Sequence, residues 1–402
     1  VNLKKISMKP VFARYEEGSE SIRKHAELLR QAIGAHTHLL EPVLVDKDYA
    51  GEPAEAFVVY PGHIRCDELV EHLGKTGDVL LFAGEEPWVA LDAMEGLSDK
   101  KRVHFVLDYN ELREKTLSLN VRKTLRETRI LAIVPDLESY AGLLEKRYDL
   151  GGLEARLGPR VDLMPKEYMA SYFDAASAEM ARAWIEGARE IKAEEGEITR
   201  TARLYEGIRN LIGKEGYDAV AISCNAPKME PFHVPCLALG QLRDEGIPAA
   251  CEVDLASLVG MILVDLATCR PSFMGNLVGF DERTITISHC AMPFLMAGEK
   301  TPYDLADYHG GRWPGATARV FLPAKRDVTV LRVSGKWDEA IITGGTLLCQ
   351  EDHGCRNTLR IELPDPAGLV RKTSGNHHIV LFGLHPELPG LLDFLGFRVK
   401  TL

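Results

Sequence analysis

The chain lacks the marks of several large protein classes. Its eight cysteines (66, 224, 236, 251, 269, 290, 349 and 355) include no Cys-x-x-Cys pair, which excludes a spaced metal or redox motif. Most stand in apolar surroundings, where a free thiol behaves as a small hydrophobe, so they read as reduced core residues. No apolar run reaches membrane-spanning length: the stretch Leu258 to Leu266 is interrupted by Gly260 and Asp265. There is no basic stripe. Lysine and arginine number 48 against 59 acidic residues, and at a formal net charge of −11 neither nucleic acid nor a membrane is an expected partner. Dinucleotide fingerprint, P-loop, internal repeat and low-complexity tract are all missing. The first residues, Val-Asn-Leu-Lys-Lys-Ile, lead into a charged amphipathic stretch and not a signal-peptide core, so a cytoplasmic location is expected.

What remains is ordinary globular material: 46% hydrophobic and 27% charged residues over 402 positions, enough for two or three cores. In the first third, Ala56 to Tyr60, Val79 to Ala83, Val103 to Leu107 and Ile130 to Val134 are short apolar runs, each followed by Gly, Pro or Asp. Helical segments separate them, the texture of parallel strands in a doubly wound α/β domain. Loops such as Pro61-Gly62-His63 and Gly84-Glu85-Glu86-Pro87 would border its crevice. A charged helical stretch from Lys166 to Gly213 leads into a second α/β unit, with strands at Ala219 to Ser223 and Pro248 to Cys251 around a helix from Pro235 to Glu245. A further helix from Leu255 stops near Thr268 at Cys269-Arg270-Pro271. Beyond it, strand-length runs at 284–289, 318–322, 328–333, 340–342, 358–363 and 378–383 predict an antiparallel sheet or barrel, closed by a helix over 389–395. The expected fold is therefore α/β: two doubly wound parallel-sheet domains (1–147 and 148–269) followed by a β-rich, barrel-like antiparallel domain (270–402).

The most informative segment is Ala249-Ala250-Cys251-Glu252-Val253-Asp254-Leu255-Ala256. It ends a buried strand at two carboxylates and then opens a helix, the place where an open α/β sheet presents catalytic groups. Two apart on a strand, Glu252 and Asp254 would face the same way, a pairing suited to a divalent cation or to proton transfer. Asp254 could equally be the N-cap of the helix at Leu255.

Four segments then belong together: Cys236 to Leu255, Pro271-Ser-Phe-Met-Gly-Asn276, Ser288-His-Cys-Ala-Met-Pro293 and Ser374-Gly-Asn-His-His-Ile-Val. In that order and spacing they resemble the L-fucose isomerase and L-arabinose isomerase superfamily, especially its shorter fucose-isomerase-like members. The resemblance runs from about residue 217 to the C-terminus and is one of architecture before that. It implies an aldose–ketose isomerase with a divalent cation, usually manganese, held by two carboxylates and a histidine, acting on a free sugar and assembled as a trimer or hexamer. Glu252 falls on the first carboxylate, a ligand that also moves protons. His378 or its neighbour His377 falls on the C-terminal histidine, with the double-histidine pattern favouring His378. His289 matches a histidine near the metal. The second carboxylate's place is taken by Asn276, whose amide oxygen can ligate but cannot act as a base.

The residues also support this chemistry directly. Moving a carbonyl between C1 and C2 removes a carbon-bound proton and forms an enediolate, which a divalent cation stabilises and a carboxylate or imidazole can serve. Together with the resemblance, which brings in Asn276 and the ligand set, the site is read as catalytic Glu252, Asp254 and Asn276, with Glu252, Asn276 and His378 on the metal. Substrate contacts come from His289, His377, Arg312 and Trp313. Arg312 and Trp313 lie in Gly310-Gly-Arg312-Trp-Pro-Gly, a loop able to stack on a sugar, and His353-Gly-Cys-Arg356 resembles it in kind. The bland alternatives are a hydrogen-bonded core His289, Asn276 as a turn residue, packing roles for Cys251 and Cys290, and ordinary loops. With an amide at 276, epimerisation or a sugar-acid reaction, or sugar binding without turnover, are the competing functions.

Overall fold

The computed structural model of the chain describes residues 2–13, 15, 19–46, 49–62, 66–84, 87–224, 229–230, 232, 234–311, 313–353 and 355–402, with the side chains of 310, 352 and 353 left aside. These residues fold as two compact units, Leu3–Thr124 and Leu125–Leu402.

In the first unit the strands are β1 (Ser7–Ala13), β2 (His38–Leu39), β3 (Val43–Val45), β4 (Ala56–Pro61), β5 (Asp78–Phe82) and β6 (Val103–Val106). The sheet is entirely parallel, in the order β2-β1-β4-β5-β6 with β3 also on β1. Helices α1 (Glu20–Ile33), α2 (Asp67–Gly74), α3 (Pro87–Gly96) and α4 (Tyr109–Arg126) alternate with the strands. The residues of β5 are buried throughout, as a strand covered on both faces must be. Strand β1 is not visible in the sequence pattern because Lys9 and Pro10 interrupt its apolar run, although Lys9 is itself only 8% exposed here.

The second unit opens with a sheet of β7 (Arg129–Val134), β8 (Arg160–Pro165), β9 (Ala219–Ile222) and β10 (Ala249–Cys251), all parallel, in the order β10-β9-β7-β8. The apolar run at 130–134, read above as part of the first domain, therefore pairs in the second sheet. Apolarity marks a buried parallel strand but does not say which sheet receives it. Helices α5 (Leu137–Arg147), α6 (Leu150–Arg156), α7 (Lys166–Asp174), α8 (Glu179–Gly187), α9 (Glu195–Glu215), α10 (Cys236–Asp244) and α11 (Leu255–Thr268) surround it. The charged stretch from Lys166 is three helices and not one, and Ala178 takes a left-handed φ of 64° at the break before α8.

The chain then makes β11 (Phe273–Phe280), β12 (Thr284–His289), β13 (Tyr303–Asp307), β14 (Ala316–Val320), β15 (Arg326–Val333), β16 (Glu339–His353), β17 (Cys355–Glu362), α12 (Pro366–Lys372), β18 (His377–Phe382), α13 (Glu387–Phe394) and β19 (Arg398–Thr401). The order β15-β18-β11-β12-β17-β16 closes on itself through β15–β16 pairing, an antiparallel six-stranded barrel with β19 added in parallel to β16. Strand β16 is long enough to serve both neighbours, pairing β15 through Ala340–Leu347 and β17 from Thr346 onward. Strands β13 and β14 form a separate antiparallel pair.

Helix α11 joins sheet to barrel. Gly260 permits its close approach to β18, since a Cβ there would stand 2.3 Å from Ile379 Cδ1. Among the described residues no helix is long and apolar enough to cross a membrane.

Candidate metal centre

Strand β10 stops at Cys251, and the next two residues leave it in an unusual way: Glu252 and Val253 both have left-handed backbone, with φ of 57° and 50°. For side-chain-bearing residues, above all β-branched valine, this costs roughly 1–3 kcal/mol each and persists only where surrounding structure imposes it. Asp254 then caps α11, its Oδ1 accepting from the Ser257 N–H at 2.9 Å. The expectation that Glu252 and Asp254 share one strand face is corrected by this turn. The strand has already ended, so Glu252 keeps a side chain 42% exposed while Asp254 is buried. A glycine at 252 would adopt the left-handed backbone without strain. Glu252→Gly is therefore expected to stabilise the metal-free protein by about 1 kcal/mol in urea unfolding, at the expense of the site.

The two carboxylates meet again across one imidazole. His377, at the start of β18, places Nδ1 2.8 Å from Asp254 Oδ2 and Nε2 3.6 Å from Glu252 Oε2. Burial disfavours charge on Asp254, but the hydrogen bond to His377 and the charge of Arg332 outweigh it and hold this carboxyl far below the usual range. Asp254 is thus an acceptor, and the His377 proton belongs on Nδ1. The lone pair of Nε2 is left buried with no hydrogen-bond partner among the described residues. Such an orphaned atom beside a carboxylate fits a cation ligand.

Asp254 itself has nothing left to offer a substrate. Its oxygens also take the Tyr148 hydroxyl at 3.2 Å and Arg332 Nη1 at 3.3 Å. Arg332, on β15, further donates to Ser257 Oγ, to the carbonyl of His377 and to that of Ser374. This network fixes the ring of His377 from behind.

The third group is His289, the last residue of β12. Its Nε2 lies 3.8 Å from Glu252 Oε1, and its ring meets that of His377 edge-on, with centroids 5.7 Å apart. The ligand atoms of Glu252, His289 and His377 all fall within 4.8 Å of one another. The two histidines are not equivalent, because the Ala291 N–H donates to Nδ1 of His289 at 3.2 Å. Burial opposes charge on His289, while hydrogen bonding to Cys251 and Glu252 favours it and raises its pKa overall. In the neutral ring Nδ1 accepts and the proton sits on Nε2, and in the charged ring Nε2 keeps its proton, so Nε2 presents hydrogen to Glu252 in both forms.

His378 does not join them. It projects the other way from β18, with Nε2 3.0 Å from Thr373 Oγ1 and Nδ1 3.2 Å from the Asn376 carbonyl, and burial pushes its pKa down to about 4. The histidine that the geometry places at Glu252 is His377, the reverse of the sequence reading. Asn276 lies on β11 opposite His377 in the ladder and opposite Ser288 on the other side. Its Oδ1 accepts from Asn376 Nδ2 at 2.6 Å. Trp313 is 42% exposed in the turn before β14, and Arg312 lies outside the described residues.

Two supports escaped the sequence reading. Arg243, buried on α10, donates from Nε to the Ala249 carbonyl at 2.6 Å and from Nη1 to the Ala291 carbonyl at 2.7 Å, tying the end of β10 to the turn after His289. Its signal was an arginine on the apolar face formed by Cys236, Leu239 and Gly240. Arg332 likewise shares a strand face with the buried Val328 and Val330.

No family model matches the chain. Over 172 residues, 41% of its length, the chain is 27% identical to proteins named sulfoquinovose isomerase from Priestia aryabhattai and Priestia megaterium. The match spans 38% of the length of those relatives.

Proposed function

We propose that the protein is a metal-dependent aldose–ketose isomerase of the fucose-isomerase-like group, acting on an open-chain sugar at the Glu252–His377 centre. The observation that carries this reading is the buried Nε2 of His377, without a hydrogen-bond partner among the described residues, beside a half-exposed carboxylate. The likeness to sulfoquinovose isomerases supports the substrate class, a sugar. An imidazole and a carboxylate suit manganese or a similar divalent ion. When bound, such a cation stabilises the negative oxygens of an enediolate.

The residues divide the remaining work by their surroundings. Glu252 is the only carboxylate of the pair with open access, so it would ligate, take the proton from C2 and return it to C1. His289, holding hydrogen on Nε2, donates it to O1 as that oxygen becomes a hydroxyl and takes back the proton that O2 gives up as it becomes the carbonyl. His377 is the ligand and Asp254, with Arg332 behind it, is its positioning residue. Asn276, beside His377 in the ladder, contributes an amide oxygen or a hydrogen bond to substrate. A cytoplasmic trimer or hexamer belongs to the same reading.

The test is isotope exchange. With manganese in deuterated water, a panel of pentoses, deoxyhexoses and sulfoquinovose should include at least one sugar that gains deuterium at C1 or C2. Metal-loaded protein that exchanges none of them sinks the isomerase reading.

A further inference from the structure

Five of the eight cysteines (224, 236, 251, 290 and 355) influence one another's ionisation, and segments far apart in sequence bring two of them onto a histidine. Cys290 follows β12 directly, His309 lies in the short helical turn Tyr308–Gly310, and Cys355 opens β17. The Cys355 Sγ to His309 Nε2 distance is 3.4 Å, and the ligand atoms of Cys290, His309 and Cys355 lie within 4.8 Å of one another. Tetrahedral zinc with Zn–S of about 2.3 Å and Zn–N of about 2.0 Å separates neighbouring sulfur and nitrogen ligands by about 3.6 Å. The Cys355–His309 pair is close to that spacing.

The scaffold around the three is already fixed. Thr317 Oγ1 donates to the Cys290 carbonyl at 2.8 Å, and Asn357 Nδ2 reaches the same oxygen at 3.4 Å. Arg356 ion-pairs with Asp307 and donates from Nε to the Asp307 carbonyl at 3.0 Å, drawing the start of β17 to the turn that bears His309. His309 holds left-handed backbone, with φ of 48°.

We propose that Cys290, His309 and Cys355 form a second metal site, selective for zinc. Two sulfurs and an imidazole make a softer donor set than the carboxylate centre next door, so the two sites divide metals by ligand chemistry. A fourth position falls to water or to the buried Cys236 thiol. Zinc here would pin the 308–310 turn and the start of β17 to the residue following His289. The proposal stands apart from the isomerase reading, since it needs no turnover.

Chelator-stripped protein is titrated with zinc and with manganese, and its thiols are alkylated and mapped by mass spectrometry. Zinc should protect the partly exposed Cys355 while the exposed Cys269 stays reactive. His309→Ala and Cys355→Ser, both at partly exposed positions, should weaken zinc binding on the order of 100-fold or more, since even outer contacts of a metal site are worth 10–100-fold. Manganese binding should be unchanged in both. Cobalt substituted for zinc should show a thiolate-to-metal charge-transfer band that Cys355→Ser removes. Failure to take up zinc, zinc binding that survives both variants, or zinc binding lost in His377→Ala overturns the proposal.

Discussion

His377→Ala is expected to lose manganese binding and to slow sugar deuterium exchange by roughly 10²–10⁴-fold, whereas His378→Ala keeps both. The two histidines are neighbours in sequence but not in environment. His377 holds a buried lone pair beside Glu252, and both ring nitrogens of His378 are engaged by Thr373 and Asn376. His289→Ala separates ligation from proton transfer: manganese should still bind within about tenfold, because Nε2 of His289 already carries hydrogen, while exchange falls by a factor similar to that for His377→Ala. Manganese titration by calorimetry alongside the exchange assay reads all three variants. If His378→Ala loses the metal and His377→Ala does not, the assignment built on the orphaned nitrogen is wrong.

Much of this site is legible in the amino-acid sequence, and the limits of that legibility have physical causes. Glu252, His289 and the double histidine are polar residues in apolar strand and turn contexts, which is why they stand out. Which of His377 and His378 faces Glu252 depends on the strand register of β18 against β11, and no single sequence fixes a register. Glu252 and Asp254 look like partners on one face because the left-handed turn at Glu252 and Val253 is made by residues that rarely adopt it. The barrel is legible from its alternating runs. Strand β11 is harder to see, since Gly275, Asn276 and Gly279 dilute its apolar character. The cysteine–histidine group is invisible in the sequence because its members are brought together by three separate barrel connections.

Asp254→Asn is expected to damage the protein in two separable ways. Asparagine is as good an N-cap as aspartate, so the Ser257 bond and the start of α11 should survive. The amide nitrogen, however, then faces two donors where the carboxylate accepted from both, His377 Nδ1 and Arg332 Nη1. His377 can restore its hydrogen bond only by moving its proton to Nε2, which closes the lone pair facing Glu252. Manganese affinity should fall about 10–100-fold, with exchange falling at least as far. Arg332, 6% exposed, meanwhile loses its acidic partner. Removing one member of a buried ion pair costs about 3–5 kcal/mol, and the remaining bonds of Arg332 to Ser257, His377 and Ser374 place the loss near the lower end. Because the folded-state pKa of Asp254 lies below its unfolded value of about 3.9, the stability it contributes is fully present above that pH and disappears only as pH falls further towards the folded pKa. The gap between parent and variant in urea unfolding should accordingly be flat from about pH 5 upward and narrow below about pH 4. A variant that loses stability with undiminished manganese affinity would show that Asp254 serves Arg332 and the helix alone, and that the proton on His377 is not under its control.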